Sequence, residues 1–377
     1  MKKAIIISCF DWYEKRLCYV KETLKKRGYT VTVIQSDFDH INKKRILNCE
    51  DYQVIHVPAY KKNLSFMRIF SHIWFAGSAL KKIKSISPDL IYALIPPNFV
   101  GAVCGYYKKY NLNMKLIFDI IDMWPESMPV KRYEKLFLIH WWKGLRNKAL
   151  KYADFVFTEC DLYQQKLEMY LDKEKCQTLY LCSKVKAAET MEKRENQDSN
   201  TINLCYLGSI NAIIDIDGIC DFLSMLQEHI KEVTLHVIGE GESRDLFIKR
   251  MEQTGCKVYY HGKIFDEFQK SEIMSECDFG INMMKDTVEV GLTIKSIDYF
   301  ANGLPIINNI KGDTWKLVEE QQIGVNVHRG DRKCISRVLE MKNRQLKTKV
   351  RKFYNSTFTE EAFWNVLESG FQKILNE

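Results

Sequence analysis

The sequence predicts an α/β protein made of two parallel-sheet domains in tandem. Three observations lead there. Apolar runs of strand length alternate with amphipathic stretches of helix length, the pattern of βαβ units. The alternation stops over 184–201, a polar stretch without aromatics that reads KVKAAETMEKRENQDSNT, and then restarts. The length, 377 residues, suits about two domains.

Taken in order, the expected strands of the first half are Ala4–Ser8, Thr30–Gln35, Gln53–Val57, Leu90–Leu94, Lys115–Asp119, Asp154–Thr158 and Gln177–Leu181. Helical periodicity fills the gaps at Trp12–Lys26, Ser65–Ser85, Val100–Tyr110 and Tyr133–Tyr152. After the break, strands are expected at Asn203–Leu207, Thr234–Ile238, Lys257–Tyr260, Asp278–Met283 and Leu304–Asn308. Helices fit Ile216–Ile230, Ser243–Thr254, Ile294–Ala301 and Trp315–Glu320. The last segment, Thr359–Leu375, carries Phe363, Trp364, Leu367, Phe371 and Leu375 on one side and should dock rather than float free. The domains are thus read as 1–185 and 202–355, with 186–201 as linker and 356–377 as a terminal helix. Open α/β sheets bind ligands beyond the carboxyl ends of their strands, so a cleft between the two domains is the expected site.

Composition excludes several classes. With 46% apolar and 28% charged residues, disorder, collagen-like repeats and a coiled coil are poor readings. The net charge of +8 hides a split. Residues 1–190 carry 32 basic and 19 acidic side chains, a net +13; residues 191–377 carry 24 and 29, a net −5. A basic half suggests a phosphate-rich partner or surface. Ala4–Phe10 is too short for a signal-peptide core with its cleavage site, and no run of 18 apolar residues predicts a membrane span. The twelve cysteines are scattered with no CxxC pair, and His56, His72, His140 and His328 do not cluster with other ligands, so no metal site is expected. A reducing cytoplasm is the expected compartment, with peripheral attachment at the inner membrane face as a further reading.

Gly291–Pro305, GLTIKSIDYFANGLP, holds the densest chemistry. Thr293 is a good N-cap for the helix that follows. A helix N-terminus offers free N–H groups and partial positive charge, so Gly291, Leu292, Thr293 and Ile294 could hold a diphosphate. Lys295 falls in the first turn, where helix stability does not call for a cation. Asp298, one turn on, could take ribose hydroxyls. A plain capped helix with solvated Lys295 and Asp298 is the competing reading.

This segment resembles the P-S-K-x-x-E-Y-x-A-x-G-x-P block of family 4 glycosyltransferases. Lys295, Asp298, Tyr299, Ala301, Gly303 and Pro305 match it in spacing, with Asp298 in place of Glu. The family places a second Glu at the position of Val290, and Glu289 stands beside it. Further blocks are similar to the family: Tyr206-Leu207-Gly208-Ser209, then His236 to Gly241 with its Gly239, then Tyr260-His261-Gly262-Lys263. The resemblance implies the GT-B fold, two Rossmann-like domains with parallel sheets facing across a deep cleft, and a C-terminal helix crossing back to the first domain. It implies retaining, metal-independent sugar transfer without a cofactor from a nucleotide-diphosphate sugar, a UDP-sugar first among candidates. Gly208, Ser209, Gly239, Gly291 to Ile294 and Asp298 would hold that donor, and the backbone of Lys263 and Ile264 would read its base. Lys295 would stabilise the leaving diphosphate and Glu289 would contact the donor sugar.

In the basic half, Ser87 to Tyr92 with Pro96-Pro97, and Asp119 to Ser127, resemble blocks of bacterial family 4 enzymes of capsule and other surface polysaccharide synthesis. Asp122 is a candidate for orienting the acceptor hydroxyl or donor sugar, equally a loop brace. Asp11 and Trp124 are acceptor candidates, against an exposed loop carboxylate and a core Trp. The implied acceptor is a polyprenyl-diphosphate-linked or other saccharide. The stretch 60–86, with Phe66, Ile69, Phe70, Ile73 and Trp74 among lysines, suits either an anionic membrane surface or a sheet-covering helix with a basic face. No nucleic-acid module is visible. Two other functions stay open: a sugar-nucleotide 2-epimerase of the same fold, and a non-catalytic partner subunit, which Val290, Ser209 and Asp217 motivate.

Overall fold

A computed structural model describes residues 2–11, 13–46, 52–62, 65–128, 136–183, 200–287 and 289–375. The chain divides into two compact units, one formed by Met1–Tyr180 with Trp364–Glu377, the other by Leu181–Phe363.

The first unit runs β1 (Lys2–Ser8), α1 (Glu14–Lys26), β2 (Tyr29–Ser36), β3 (Phe38–Asp39), β4 (Lys44–Arg45), β5 (Tyr52–Ile55), α2 (Phe66–Ile86), β6 (Leu90–Ile95), α3 (Asn98–Tyr110), β7 (Lys115–Ile120), α4 (Phe137–Leu150), β8 (Phe155–Thr158), α5 (Asp161–Leu167) and β9 (Cys176–Thr178). Seven of these strands form a sheet ordered β5-β2-β1-β6-β7-β8-β9, with every pairing parallel. Helices on both faces explain why β6, LIYALI, is buried along its whole length. The order reverses direction between β1 and β6.

One buried ion pair ties this sheet together. Arg16 on α1 meets Asp119 on β7 in a two-pronged pair, Nε to Oδ2 at 2.6 Å and Nη2 to Oδ1 at 2.7 Å. The Tyr92 hydroxyl donates to the same carboxylate at 2.6 Å, and both Arg16 Nη atoms reach the Leu179 carbonyl at 3.1 Å. Each guanidinium nitrogen of Arg16 and each carboxylate oxygen of Asp119 thus finds a protein partner where burial strips it of water.

The second unit runs β10 (Thr201–Leu207), α6 (Ile216–Gln227), β11 (Glu232–Ile238), α7 (Arg244–Gln253), β12 (Lys257–Gly262), α8 (Glu267–Ser275), β13 (Phe279–Asn282), α9 (Ile294–Ala301), β14 (Ile306–Asn308), α10 (Asp313–Gln321), β15 (Gly324–Asn326), α11 (Lys333–Met341) and α12 (Arg344–Thr357). Its sheet is ordered β12-β11-β10-β13-β14-β15, again all parallel, with the reversal between β10 and β13. A last helix, α13 (Glu360–Leu375), belongs for most of its length to the first unit. Phe371 stacks on Tyr92, Trp364 packs on Tyr19, and Glu368 pairs with Arg27 at 2.5 Å. A Cβ on Gly370 would come within 2.4 Å of Phe157, so only glycine lets the helix lie this close to β8. Phe363, Leu367, Phe371 and Ile374 are buried, so Ile374 rather than Leu375 completes the docking stripe.

Some elements differ from the sequence reading. The three-residue β15 and the β3–β4 pair are too short to show periodicity, and α12 is rich in lysine and arginine with few apolar markers. The helix expected from Tyr133 begins at Phe137, with 133–135 outside the described residues. Of the expected linker 186–201, residues 186–199 also lie outside them, and Thr201 already belongs to β10.

Candidate functional site

The reversal between β10 and β13 is where an open α/β sheet leaves a crevice for ligands. Tyr299 of α9 straddles it. Its buried hydroxyl accepts from the Leu207 N–H at 2.7 Å and stands within reach of the Cys205 and Ile281 carbonyls at 3.1 and 3.2 Å. Gly280 makes room for the ring, since a Cβ there would lie 2.7 Å from it. The start of α9 is therefore pinned beside the end of β10.

That geometry brings Lys295 over the β10 loop. Its Nζ lies 5.1 Å from the Tyr206 ring centre, and its Cδ lies 3.9 Å from where a Gly208 Cβ would stand. Gly208 is held at φ +115°, a backbone conformation that favours glycine, and a Cβ there would only touch the lysine at ordinary contact distance. Gly239 is packed more tightly, because a Cβ would fall 1.9 Å from the Gly208 carbonyl oxygen. Its N–H donates to the Gly262 carbonyl at 2.8 Å, lacing the ends of β10, β11 and β12 into one platform.

Electrostatics mark two side chains. Burial pulls the Lys295 ammonium down from 10.5 to about 8. Among the described residues no carboxylate forms an ion pair with it. Burial pushes the Asp298 carboxyl up from 3.8 to about 6, with Lys270 of α8 opposing that rise and Glu267 adding to it. Both groups face desolvation that an opposite charge or hydrogen-bonding hydroxyls would relieve. Such perturbed groups concentrate at functional sites.

The loop before α9 is held at two points. Gly291 accepts from the Thr314 N–H at 2.8 Å and hydroxyl at 2.7 Å, and Thr293 caps α9 by accepting from the Ser296 N–H at 3.2 Å. Leu292 and Thr293 are half-buried and Ile294 is 65% exposed, so the helix start opens outward. Ser209 is exposed with its carbonyl accepting from the Tyr206 hydroxyl at 2.9 Å, Lys263 is exposed, and Ile264 and Glu289 are half-buried. The structure thus gathers Gly208, Gly239, Thr293 and Lys295, with Asp298 one turn along α9.

A comparison with family models matches residues 201–340 to a model described as "Glycosyl transferases group 1". The match covers residues 201–340, from β10 into α11, and is a similarity of that part of the chain. No curated protein sequence matches the chain significantly. Among solved structures, sucrose-phosphate synthase from Thermosynechococcus elongatus aligns over 100% of both chains at 13% identity, with a TM-score of 0.68. The lipopolysaccharide outer core galactosyltransferase WaaB in its apo form covers 98% of this chain and 99% of its own, at 13% identity and TM-score 0.68. Anabaena Alr3699/HepE, solved in complex with UDP, covers 99% and 100% at 12% identity and TM-score 0.66. These likenesses show the GT-B fold, two Rossmann-like domains.

Within residues 201–340, sequence reasoning named Tyr206 without its contact to Lys295 and passed over Thr314. It also passed over the buried asparagines that end β13, β14 and β15, although an amide after the apolar residues of each strand (GIN, IIN and GVN) was a visible signal. A cavity of about 210 Å³ lies beside the start of α6, lined by Asp215, Met283, Lys285, Asn309, Lys311 and His328 among others. None of the expected donor residues lines it. Gly239→Ala tests the platform: the clash with Gly208 should cost more than about 1 kcal/mol of stability and weaken nucleotide binding, read by thermal melting with and without nucleotide. Parent-like values for both would show that the platform yields.

In the first unit the expected residues sit in a braced loop. Asp122 Oδ1 accepts from the Met123 N–H at 2.7 Å and the Ser127 hydroxyl at 2.5 Å, so that oxygen braces the loop. Glu126 pairs with Arg146 at 2.7 Å, and Asn98 holds the Trp124 carbonyl at 2.9 Å. Trp124 was a candidate platform for a sugar, but its ring is only 6% exposed, stacked on His72 and covered by the Arg68 guanidinium at 4.2 Å. It is a core residue, with no open face to offer. Asp11 is half-buried, its Oδ1 has no hydrogen-bond partner among the described residues, and burial raises its pKa. On α2, Phe66, Phe70, Ile73 and Trp74 are exposed while Phe75, Ala76, Ala79 and Ile83 meet the core. The helix covers the sheet with one side and shows an apolar stripe on another. Among the described residues no helix is long and apolar enough to cross a membrane.

Proposed function

We propose that this chain is a retaining glycosyltransferase that moves a sugar from a nucleotide-diphosphate sugar, a UDP-sugar first among candidates, to a lipid-linked saccharide in surface polysaccharide synthesis. The observation that carries the reading is Lys295: a half-buried ammonium with no paired carboxylate among the described residues, at the open N-terminus of α9, above Gly208. A diphosphate is the ligand that such a cation, a helix start and a glycine-lined approach accommodate together. Asp298 then accepts hydrogen bonds from the ribose hydroxyls. In the transfer, the bond from the anomeric carbon to the diphosphate oxygen breaks and its electron pair stays on the diphosphate. The acceptor oxygen bonds to that carbon and passes its proton to the departing diphosphate oxygen. Lys295 and the N–H groups of the α9 start, with no metal, offset the growing negative charge. Glu289 contacts the donor sugar.

Two complexes of a relative in fold support the donor class: Anabaena Alr3699/HepE was solved with UDP and with UDP-glucose. The likeness to WaaB, a lipopolysaccharide outer core galactosyltransferase, supports a polysaccharide role. The α2 stripe, in the half that carries net +13 from 32 basic and 19 acidic residues, supports peripheral binding to an anionic membrane at its cytoplasmic face.

A thermal-shift panel of UDP, GDP, ADP and CMP with their sugars tests the donor site. One nucleotide should raise the melting temperature of the parent, and Asp298→Ala should remove most of that rise. A variant that binds as tightly as the parent, or a parent that answers to none, overturns the assignment.

A further inference from the structure

We propose that Asn282, Asn308 and Asn326 form a one-directional amide relay that positions the start of α9, and with it Lys295, against the donor diphosphate, a role that rests on the donor-site reading. The three residues occupy the last positions of β13, β14 and β15 and stand opposite one another in register. They are almost wholly buried, at 0%, 0% and 4% exposure. Asparagine is depleted in strands, and a buried amide is costly unless every group is matched. Three in a row at a ligand-binding sheet end therefore call for a reason beyond packing.

Their hydrogen bonds allow one orientation. The Ile310 N–H can only donate, and it reaches one end of the Asn308 amide at 3.1 Å, which makes that end Oδ1. The other end, Nδ2, donates to the Ile310 carbonyl at 3.0 Å and to Asn326 Oδ1 at 2.8 Å. Asn326 Nδ2 then donates to the Trp315 carbonyl of α10 at 2.9 Å. On the other side, Asn282 must present Nδ2 to Asn308 Oδ1, at 3.0 Å.

The same Nδ2 donates to Ser296 Oγ at 3.0 Å. Asn282 Oδ1 is left to accept from the Thr293 hydroxyl at 3.2 Å. Thr293 Oγ1 and Ser296 Oγ are 2.6 Å apart, so the Ser296 hydroxyl donates to Thr293 and closes a ring with Asn282. Each hydroxyl in the ring donates once and each proton has one destination. Hydrogen bonds arranged head to tail strengthen one another, which makes the ring a stiff mount for the cap of α9. The relay thus runs from α9 through three strand ends to α10, whose Thr314 also holds Gly291 at 2.7 Å. These asparagines are positioning residues: they set where Lys295 sits and do not themselves meet the substrate.

The test uses the full chain, with UDP, GDP and ADP titrated by calorimetry from pH 6 to 10. Asn282→Asp keeps the acceptor for Thr293 and loses both donors. Thr293→Val breaks the ring at a half-buried position that should still fold, and Thr293→Ser restores the hydroxyl. For the nucleotide that binds the parent, Asn282→Asp and Thr293→Val should weaken binding about tenfold, with Thr293→Ser near the parent. The alkaline fall in affinity should also move from near pH 8 toward the 10.5 of a solvated lysine, as Lys295 loses its fixed seat. Weaker binding with the alkaline fall unmoved would mean a merely structural role and would overturn the relay. So would parent-like affinity in both variants, which leaves the donor-site reading intact. A parent that binds no nucleotide overturns that reading and the relay with it.

Discussion

Lys295→Met lowers kcat/KM for the nucleotide-sugar donor by about 10²–10³-fold, equivalent to about 3–4 kcal/mol of transition-state stabilisation. Methionine fills the same space above Tyr206 and Gly208, so the loss reports charge rather than packing. The pH profile makes the expectation sharper. Lys295 must be charged to hold a diphosphate, and its pKa is about 8, so kcat/KM falls as pH rises through 8. Asp298 must be ionised to accept two ribose hydroxyls, and its pKa is about 6, so kcat/KM falls as pH drops through 6. The parent should show a bell between these limbs. Lys295→Met should lose the alkaline limb while keeping the acid one, and an alkaline limb that survives in the variant refutes the assignment.

Asp119→Ala destabilises the first unit by about 3–5 kcal/mol, because it leaves the Arg16 guanidinium buried without its counter-charge. Arg16 is 3% exposed and Asp119 0%, so water cannot replace the lost carboxylate. Tyr92 also loses the acceptor of its hydroxyl. Urea unfolding measures the loss. The double variant Arg16→Met with Asp119→Leu should recover much of it, since an apolar pair of similar size removes the buried charge altogether. A double variant no better than Asp119→Ala would mean that the pair contributes through something other than charge matching.

Both predictions depend on residues whose types were readable and whose partners were not. Lys295 stood out because a cation in the first turn does nothing for a helix dipole, and Thr293 because a cap is written into three or four consecutive residues. Asp119 closes an expected strand, yet nothing local pointed to Arg16, 103 residues away. Trp124 and Asp122 were each read two ways, as substrate contacts or as a core ring and a loop brace, and the fold buries the Trp124 ring against His72 and gives Asp122 Oδ1 hydrogen bonds from Met123 and Ser127.

By itself the sequence determined the α/β alternation, most strands and helices, the cap of α9 and the likeness of its second half to group 1 glycosyl transferases. These rest on periodicity and short spacings, which are properties of neighbouring residues. Only the tertiary structure decided the sheet orders, and the orders decided everything that meets at a strand end. With β10 beside β13, Tyr299 bridges Leu207 and Ile281, and Lys295 lies over Gly208. With β13, β14 and β15 side by side, three separate asparagines become one relay. Parallel strands joined by helices bring together residues that the chain keeps tens of positions apart, and no local pattern records which ones will meet.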